Sequence, residues 1–140
     1  MVPARHGADV SYHTPCILVV DDDDLIRKTL KLHLEVAGYH VSQASNGLEA
    51  VAELENFKPD IIILDIFMPD MDGFETLRRL NHAARRARIL AISGGGSAAA
   101  CDFLDMAAKL GADRVLKKPF TATELTAAVE ALLPPLTSQS

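Results

Sequence analysis

Several residue types that would suggest a particular function are scarce in this chain. Tryptophan is absent, and aromatic residues make up only 5% of the 140 residues. There are two cysteines, Cys16 and Cys101, and five histidines that lack the regular spacing of metal ligands. Two isolated cysteines form neither a zinc motif nor a disulfide framework. We therefore interpret both as small buried hydrophobic residues in a reducing compartment.

Positive charge and long apolar segments are also scarce. Lys and Arg total 14 against 19 Asp and Glu, which gives a net charge of −5 and a pI near 5.4. Nucleic-acid-binding proteins usually present a basic face, so we expect no direct contact with nucleic acid. No apolar stretch approaches the roughly 20 residues of a membrane span, and the N-terminus lacks the apolar core of a signal peptide. We expect a cytoplasmic protein that does not bind a membrane.

The remaining composition is that of one folded domain. Apolar residues make up 49% of the chain and charged residues 24%, which is typical of globular proteins. A chain of this length suits a single compact domain. Residues 1–14 and 134–140 show no periodicity, and we predict that they form a flexible N-terminal arm and a flexible tail. The structured domain is therefore expected over residues 15–133.

Strand and helix patterns alternate five times within this domain. Apolar runs rich in β-branched residues predict strands over 16–20, 40–44, 60–64, 88–92 and 114–117. Capping residues and helical spacing predict the helix boundaries: Gly38 ends the first, Asn46 and Asp72 begin the second and third, Gly111 ends the fourth, and Thr121 begins the fifth with Glu124. The fourth helix is expected over about 98–110, with Phe103, Ala107 and Leu110 on one face. Strict alternation predicts a doubly wound parallel sheet with helices on both faces.

Acidic residues follow two of the predicted strands. Asp65 comes after four buried aliphatic residues, and the cluster 21–24 comes after the first strand. Open α/β sheets bind ligands at the carboxyl ends of their strands, so neighbouring strands would bring these carboxylates together. Carboxylates at such distances repel each other, and a divalent cation resolves the conflict. Magnesium prefers oxygen ligands and suits a few carboxylates plus a phosphoryl group. Asp23 and Asp24 are interpreted as helix-start acids.

Two other strand ends carry groups that can bind a phosphoryl group. Ser93 lies at the end of the fourth strand and can donate its hydroxyl. Lys118 follows the fifth strand and precedes Pro119, and its ammonium can pair with phosphoryl charge. The carboxylate of Asp65 can attack phosphorus to give an acyl phosphate. The residue types at this edge therefore fit a magnesium-dependent transfer of a phosphoryl group to Asp65.

Taken in order, these residues resemble the response-regulator receiver domain of two-component signalling. The matching residues are Val19-Val20-Asp21-Asp22, Leu64-Asp65 with Met68-Pro69 and Asp72-Gly73, Ile92-Ser93, and Lys118-Pro119-Phe120. The resemblance covers nearly the whole predicted domain. It implies an α/β, flavodoxin-like (CheY-like) fold, a doubly wound five-stranded parallel sheet in the order 2-1-3-4-5 with five helices.

The resemblance implies that Asp65 is the phosphoacceptor of a magnesium site, in which Mn²⁺ can substitute for Mg²⁺. Asp21 and Asp22 would hold the metal, with Asp22 as the more direct ligand. Asp65 would add a carboxylate oxygen, and Phe67 would add its main-chain carbonyl. The apolar ring of Phe67 cannot activate a water molecule, so we predict slow to moderate self-dephosphorylation.

The resemblance also implies a switch. Ser93 and Lys118 would take the family's hydroxyl and lysine positions, and the peptide bond between Lys118 and Pro119 would be cis. The family usually has an aromatic residue three positions before the lysine, whose rotation follows phosphorylation, but this chain has Val115 there. We therefore expect the loop that contains residues 94–96, three consecutive glycines, to carry the signal by moving.

Three functions remain open from the sequence. The first is a single-domain response regulator, a monomer or weak homodimer, that receives a phosphoryl group from a sensor histidine kinase or histidine phosphotransfer protein. Such a domain is not an enzyme on other substrates, and it would switch a surface for a downstream protein. The second is a magnesium-dependent phosphatase with an Asp nucleophile, but such enzymes need a second Asp where Phe67 stands. The third is a docking domain with the same fold that works without phosphorylation.

Overall fold

Five parallel strands form one sheet in the computed structural model, which describes residues 14–66, 73–84, 86–93 and 105–133. The strands are β1 (Cys16–Val20), β2 (His40–Ala44), β3 (Ile61–Asp65), β4 (Arg88–Ser93) and β5 (Arg114–Lys117). Their order is β2-β1-β3-β4-β5, which confirms the predicted topology. The helices are α1 (Asp24–Val36), α2 (Gly47–Glu53), α3 (Gly73–Ala83), α4, described over 105–109, and α5 (Ala122–Leu132).

The core lies on both faces of the sheet, and β3 is buried at every position. Successive side chains of a strand point to opposite faces, so each strand contributes to two apolar clusters. One cluster joins the sheet to α1 and α5 through Ile17, Val19, Ile61, Ile63, Leu90, Ile92, Leu30, Leu34, Leu125, Ala128 and Val129. The other joins it to α2, α3 and α4 through Leu18, Val20, Ile62, Leu64, Ile89, Ala91, Ala50, Leu77, Leu80 and Ala107. The central strands are therefore held rigidly, and so are the residues at their ends.

The predicted helix boundaries hold wherever the structure describes them. The side chain of Asn46 caps α2 by accepting a hydrogen bond from the amide of Glu49. Thr121 and Glu124 form the reciprocal capping box at the start of α5. Gly38, just after α1, has a φ of 102°, in the left-handed region that favours glycine.

Two strands end one residue later than predicted: β3 is shifted by one residue along the chain, and β4 is longer by one residue. β3 ends at Asp65 and β4 ends at Ser93, because Asp65 pairs with Ile92 and Ser93 pairs with Lys117 in the sheet. The apolar pattern of the sequence predicts that a strand ends at its last apolar residue, whereas the main-chain hydrogen bonds of the sheet extend to the polar residue that follows. The two polar residues therefore belong to the rigid sheet.

Cys16 differs from the expectation of a buried residue, because it is half-buried at the first position of β1. Its amide donates to the carboxylate of Asp60, and its thiol lies 3.7 Å from the carbonyl oxygen of Thr14. Cys101, Phe103 and the expected start of α3 at Asp72 lie outside the described residues. Within the described ranges, no helix is both long and apolar enough to cross a membrane.

Candidate functional site

Three carboxylates meet at the carboxyl edge of the sheet. β1 and β3 are adjacent, and Val20 lies in register with Leu64, so the acids that follow these residues are neighbours. Asp21, Asp22 and Asp65 each offer a carboxylate oxygen, and these oxygens lie within 4.8 Å of one another. Asp21 and Asp65 are buried and Asp22 is exposed. The convergence expected from the sequence is therefore present in the fold.

Lys118 supplies positive charge to this cluster. Its Nζ lies 3.4 Å from Oδ2 of Asp65 and 3.5 Å from Oδ2 of Asp21. The amide of Lys118 donates to the carbonyl of Ser93, which ties the end of β5 to the end of β4. One ammonium thus faces the two buried carboxylates of the cluster.

The Asp21 carboxyl has an unusual electrostatic environment. Burial raises its pKa from 3.8 to about 6, and the negative charges of Asp65 and Asp22 act in the same direction. The amide of Asp23 and the ammonium of Lys118 lower the pKa, but they do not offset the burial. Within the described residues, Oδ2 of Asp21 has no hydrogen-bond partner.

This arrangement fits a divalent cation. A fully buried carboxylate oxygen without a hydrogen bond costs free energy unless a cation is close to it. Among the described residues, Oδ2 of Asp21 has no hydrogen bond, and the ammonium of Lys118, 3.5 Å away, is shared with Asp65. Oxygens of Asp21, Asp22 and Asp65 lie within 4.8 Å of one another, so a second cation could contact all three carboxylates. Mg²⁺ in proteins is bound by hard oxygen ligands, such as carboxylates, that are grouped closely in this way.

The loop after β1 is fixed by hydrogen bonds. Oδ1 of Asp21 accepts from the amide of Asp23 at 2.9 Å. Asp23 in turn caps α1, and its carboxylate accepts from the amides of Leu25 and Ile26. Asp23 is therefore the helix-start acid that the sequence indicates, and Asp24 pairs with Arg27 in the first turn.

The remaining predicted site residues lie around this edge or outside the described residues. Ser93 is buried at the last position of β4. The peptide bond between Lys118 and Pro119 is cis, the geometry expected from the sequence. Val115 is half-buried and packs against the cluster formed with α2, α3 and α4. The carbonyl of Phe67 and the three glycines 94–96 lie outside the described residues.

Sequence reasoning missed Arg27, which is 9% exposed and contacts the site loop. Its guanidinium donates to the main-chain oxygen of Asp21 at 2.8 Å and to the side chain of Gln43 at 3.1 Å. A signal was available, because Arg27 shares the apolar face of α1 with Leu30 and Leu34. A charged residue on an apolar helix face indicates a specific buried partner.

The geometry agrees with comparisons against known proteins. The sequence model of the response regulator receiver domain matches residues 17–130. The chain is 40% identical over 119 residues to response regulator MprA of Mycobacterium sp. (strain KMS), covering 84% of this chain and 50% of the relative. It is 39% identical over 119 residues to the alkaline phosphatase synthesis transcriptional regulatory protein PhoP of Bacillus subtilis, covering 84% and 48%. The chain thus spans about half the length of these curated relatives.

Solved structures give the same result. Chemotaxis protein CheY4 of Vibrio cholerae matches with a TM-score of 0.76 and 31% identity, covering 86% of this chain and 100% of that one. A CheY-like receiver domain protein of Methanospirillum hungatei matches with a TM-score of 0.76 and 30% identity, covering 86% and 94%. The sequence, the sheet order and the solved structures agree, and the chain belongs to the response regulator receiver domain family.

Proposed function

We propose that this domain accepts a phosphoryl group on Asp65 from a phosphohistidine of a sensor histidine kinase or a histidine phosphotransfer protein. The observation that carries the proposal is the contact of Lys118 with a buried Asp65 inside a cluster of three carboxylates. Buried carboxylates repel each other, and they are kept together where a cation and a phosphoryl group use them.

In the proposed reaction, a carboxylate oxygen of Asp65 attacks the phosphorus atom. The P–N bond to the donor imidazole breaks, and its electron pair leaves with the imidazole. The ammonium of Lys118, 3.4 Å from Asp65, pairs with the charge of the phosphoryl oxygens. Ser93, at the end of the adjacent strand, donates its hydroxyl to one of these oxygens. The domain in this way would catalyse its own phosphorylation. In its dephosphorylation, water would attack the phosphorus, the P–O bond to Asp65 would break, and phosphate would leave as the carboxylate is restored.

Mg²⁺, or Mn²⁺ in its place, would be held by Asp21, Asp22, Asp65 and the main-chain carbonyl of Phe67. When bound, the metal neutralises carboxylate charge and stabilises charge on the transferring group. Oδ2 of Asp21 supports this assignment: it is buried, it has no hydrogen bond among the described residues, and it shares the ammonium of Lys118 with Asp65. A bound cation would reduce the cost of burying it.

The exposed face of α1 is proposed as the contact for the phosphodonor protein. Leu25, Leu32 and Val36 are 74%, 61% and 81% exposed, although each is a large apolar residue. Their spacings of seven and eleven residues place Leu32 and Val36 each within about 20° of Leu25 around the helix, on opposite sides of it. Leu25 lies next to the acidic loop, so this stripe runs away from the site along α1. An apolar helix of a donor protein would cover it.

The output of phosphorylation is proposed to be a shift in the equilibrium between two conformations of the face formed by α4, β5 and α5. Val115 of β5 is half-buried against the core on the α4 side of the sheet. Its small side chain cannot rotate as an aromatic ring does. The signal would therefore pass through the segment between β4 and α4.

The experiment that tests the proposed function is intact mass spectrometry after incubation with Mg²⁺ and acetyl phosphate. We expect a gain of one phosphoryl group, which disappears in EDTA and in Asp65→Asn. Asp105→Asn is the matched control, because Asp105 is an exposed acid on α4 that is not part of the cluster formed by Asp21, Asp22 and Asp65.

The outcomes separate the three functions that the sequence leaves open. Uptake that needs both Mg²⁺ and Asp65 supports the receiver chemistry. No uptake and no Mg²⁺ binding would leave a docking domain that works without phosphorylation. Sustained release of phosphate from an added phosphomonoester would favour the phosphatase.

A further inference from the structure

Arg27 is a buried cation that the proposed phosphoryl transfer does not use. It lies on the apolar face of α1 with Leu30 and Leu34, and only 9% of its surface is exposed. Arginine is rarely buried to this extent unless its donors are paired, because removing a charge from water is costly. Its position therefore needs a specific explanation.

The guanidinium joins three elements at the edge of the site. Nη1 donates to the main-chain oxygen of Asp21 at 2.8 Å, in a fully buried hydrogen bond. Nε donates to Oε1 of Gln43 on β2 at 3.1 Å. Nη2 pairs with the exposed carboxylate of Asp24 at the start of α1. The fork geometry of arginine allows one side chain to serve these three acceptors together.

The contact with Asp21 fixes the peptide unit that leads into Asp22. The amide of Asp21 already donates to the carbonyl of Ala44, and its Oδ1 accepts from the amide of Asp23. With the carbonyl also held, the peptide plane between Asp21 and Asp22 cannot rotate without breaking a buried, charge-assisted hydrogen bond. The orientation of this plane sets the direction of the Asp22 side chain and leaves Oδ2 of Asp21 facing Asp65 and Lys118.

We propose that Arg27 is a positioning residue for the cation site, which orients the carboxylates of Asp21 and Asp22 by holding the carbonyl of Asp21. The proposal rests on the proposed function, because it assumes that these carboxylates bind Mg²⁺. Arg27 contacts neither the metal nor the phosphoryl group. It acts as the residues behind metal ligands do, by restricting the ligands to the geometry that binds.

The positive charge of Arg27 and its positioning role have opposite effects on the affinity for Mg²⁺. If Arg27 acted only as a positive charge near an acidic site, removing it would strengthen the binding of a cation. If it acts by holding the loop, removing it weakens the binding. The sign of the change in Mg²⁺ affinity therefore distinguishes the two roles.

The test is the dissociation constant for Mg²⁺, measured by titration calorimetry on the whole chain. For Arg27→Met, which keeps the length but removes the donors, we expect an increase of about tenfold, the lower end of the range for residues that support metal ligands. Arg27→Lys keeps the charge but cannot serve three acceptors, and we expect an increase of about threefold. Lys28→Met is the matched control, because it removes the same charge from an exposed position of α1, and we expect a dissociation constant equal to or slightly below the wild-type value.

Circular dichroism melts in EDTA establish that each variant is folded at the assay temperature. A folded Arg27→Met protein with unchanged or tighter Mg²⁺ binding would overturn the proposal. If Arg27→Met does not fold, the Mg²⁺ dissociation constant of Arg27→Lys tests the proposal instead. A wild-type value for Arg27→Lys would then overturn the proposal. If the wild-type chain itself binds no Mg²⁺, the proposed function fails together with this inference, which is a result distinct from a change in the variants alone.

Phosphorylation by acetyl phosphate gives a second readout. In Arg27→Met, the rate is expected to fall at low Mg²⁺ and to return to the wild-type rate when Mg²⁺ is saturating. A rate that stays low at saturating Mg²⁺, in a folded protein, would show that Arg27 does not act through metal affinity.

Discussion

Asp21→Asn is expected to stabilise the metal-free protein while it abolishes the binding of Mg²⁺. Asp21 is completely buried, and one of its carboxylate oxygens lacks a hydrogen bond among the described residues. Asparagine has the same shape without the charge. Its Oδ1 can still accept from the amide of Asp23, and its amide group can donate to the carboxylate of Asp65.

The pKa of Asp21 gives the size of the effect. Burial raises this pKa from 3.8 to about 6, a difference of about two units. Each unit corresponds to about 1.4 kcal/mol, so the ionised carboxylate lowers the free energy of unfolding by about 3 kcal/mol at neutral pH. The new amide also faces the ammonium of Lys118, which reduces the gain. We expect Asp21→Asn to be more stable than the wild type in EDTA by about 1–3 kcal/mol.

The effect depends on pH with a definite sign. Below about pH 4, Asp21 is protonated in both the folded and the unfolded chain, so its ionisation costs no stability. Between about pH 4 and pH 6, the folded chain keeps a proton that the unfolded chain has lost, and the free energy of unfolding falls as the pH rises. Above about pH 6 the full cost is present. The difference in free energy of unfolding between Asp21→Asn and the wild type should therefore increase between about pH 4 and pH 6 and stay constant above about pH 6.

Urea unfolding followed by circular dichroism measures this difference, which suits a chain without tryptophan. Saturating Mg²⁺ should stabilise the wild type and leave Asp21→Asn unchanged, because a ligand stabilises only the folded state that binds it. Asp22→Asn is the matched control. Asp22 is exposed and its charge is the smallest of the causes that raise the pKa of Asp21, so its substitution should weaken Mg²⁺ binding and raise stability in EDTA far less than Asp21→Asn does. The reasoning would be refuted by an Asp21→Asn protein less stable than the wild type in EDTA at pH 7.5, or by a difference independent of pH.

Three other features of the structure lead to predictions. A Cβ at Gly73 would overlap the carbonyl oxygen of Ile66, so Gly73→Ala should lower the free energy of unfolding in urea by about 3 kcal/mol or more. Wild-type stability would contradict this contact. Thr121→Ala removes the hydrogen bond that the Thr121 hydroxyl oxygen accepts from the amide of Glu124, while the amide of residue 121 can still donate to the Glu124 carboxylate. The loss should cost about 1 kcal/mol in the same assay, whereas no loss would mean that α5 does not need the cap. Leu32→Glu on the exposed face of α1 should slow phosphotransfer from a cognate kinase and leave phosphorylation by acetyl phosphate unchanged; equal effects on both rates would exclude a docking role.

Much of the fold could be predicted because its signals are local. The run Ile61–Leu64 is apolar at every position, as a strand covered on both faces requires, and the alternation of strands and helices leaves few topologies. Thr121 with Glu124 marks a helix start through contacts between residues three positions apart. Strand ends were less predictable, because main-chain pairing extends β4 to Ser93 regardless of the side chain.

The chemistry of the site was also visible in part, because parallel strands bring their carboxyl ends to one edge. Asp65 follows a strand that lies beside β1, and this adjacency alone brings it close to Asp21. The residue types were therefore sufficient to predict which side chains meet. They were not sufficient to give burial or distance, which depend on how the helices pack over the sheet.

The sequence by itself determined the order of elements, the edge of the sheet that carries the site, and the identity of the residues there. Only the tertiary structure decided that Asp21 is fully buried, that its Oδ2 has no hydrogen bond among the described residues, and that Arg27 reaches its carbonyl from α1. The physical reason is the range of the interactions. Propensity, capping and periodicity act between residues a few positions apart, whereas burial and the contact of Lys118 with Asp65 join segments that are distant in the chain and meet only when the sheet has formed.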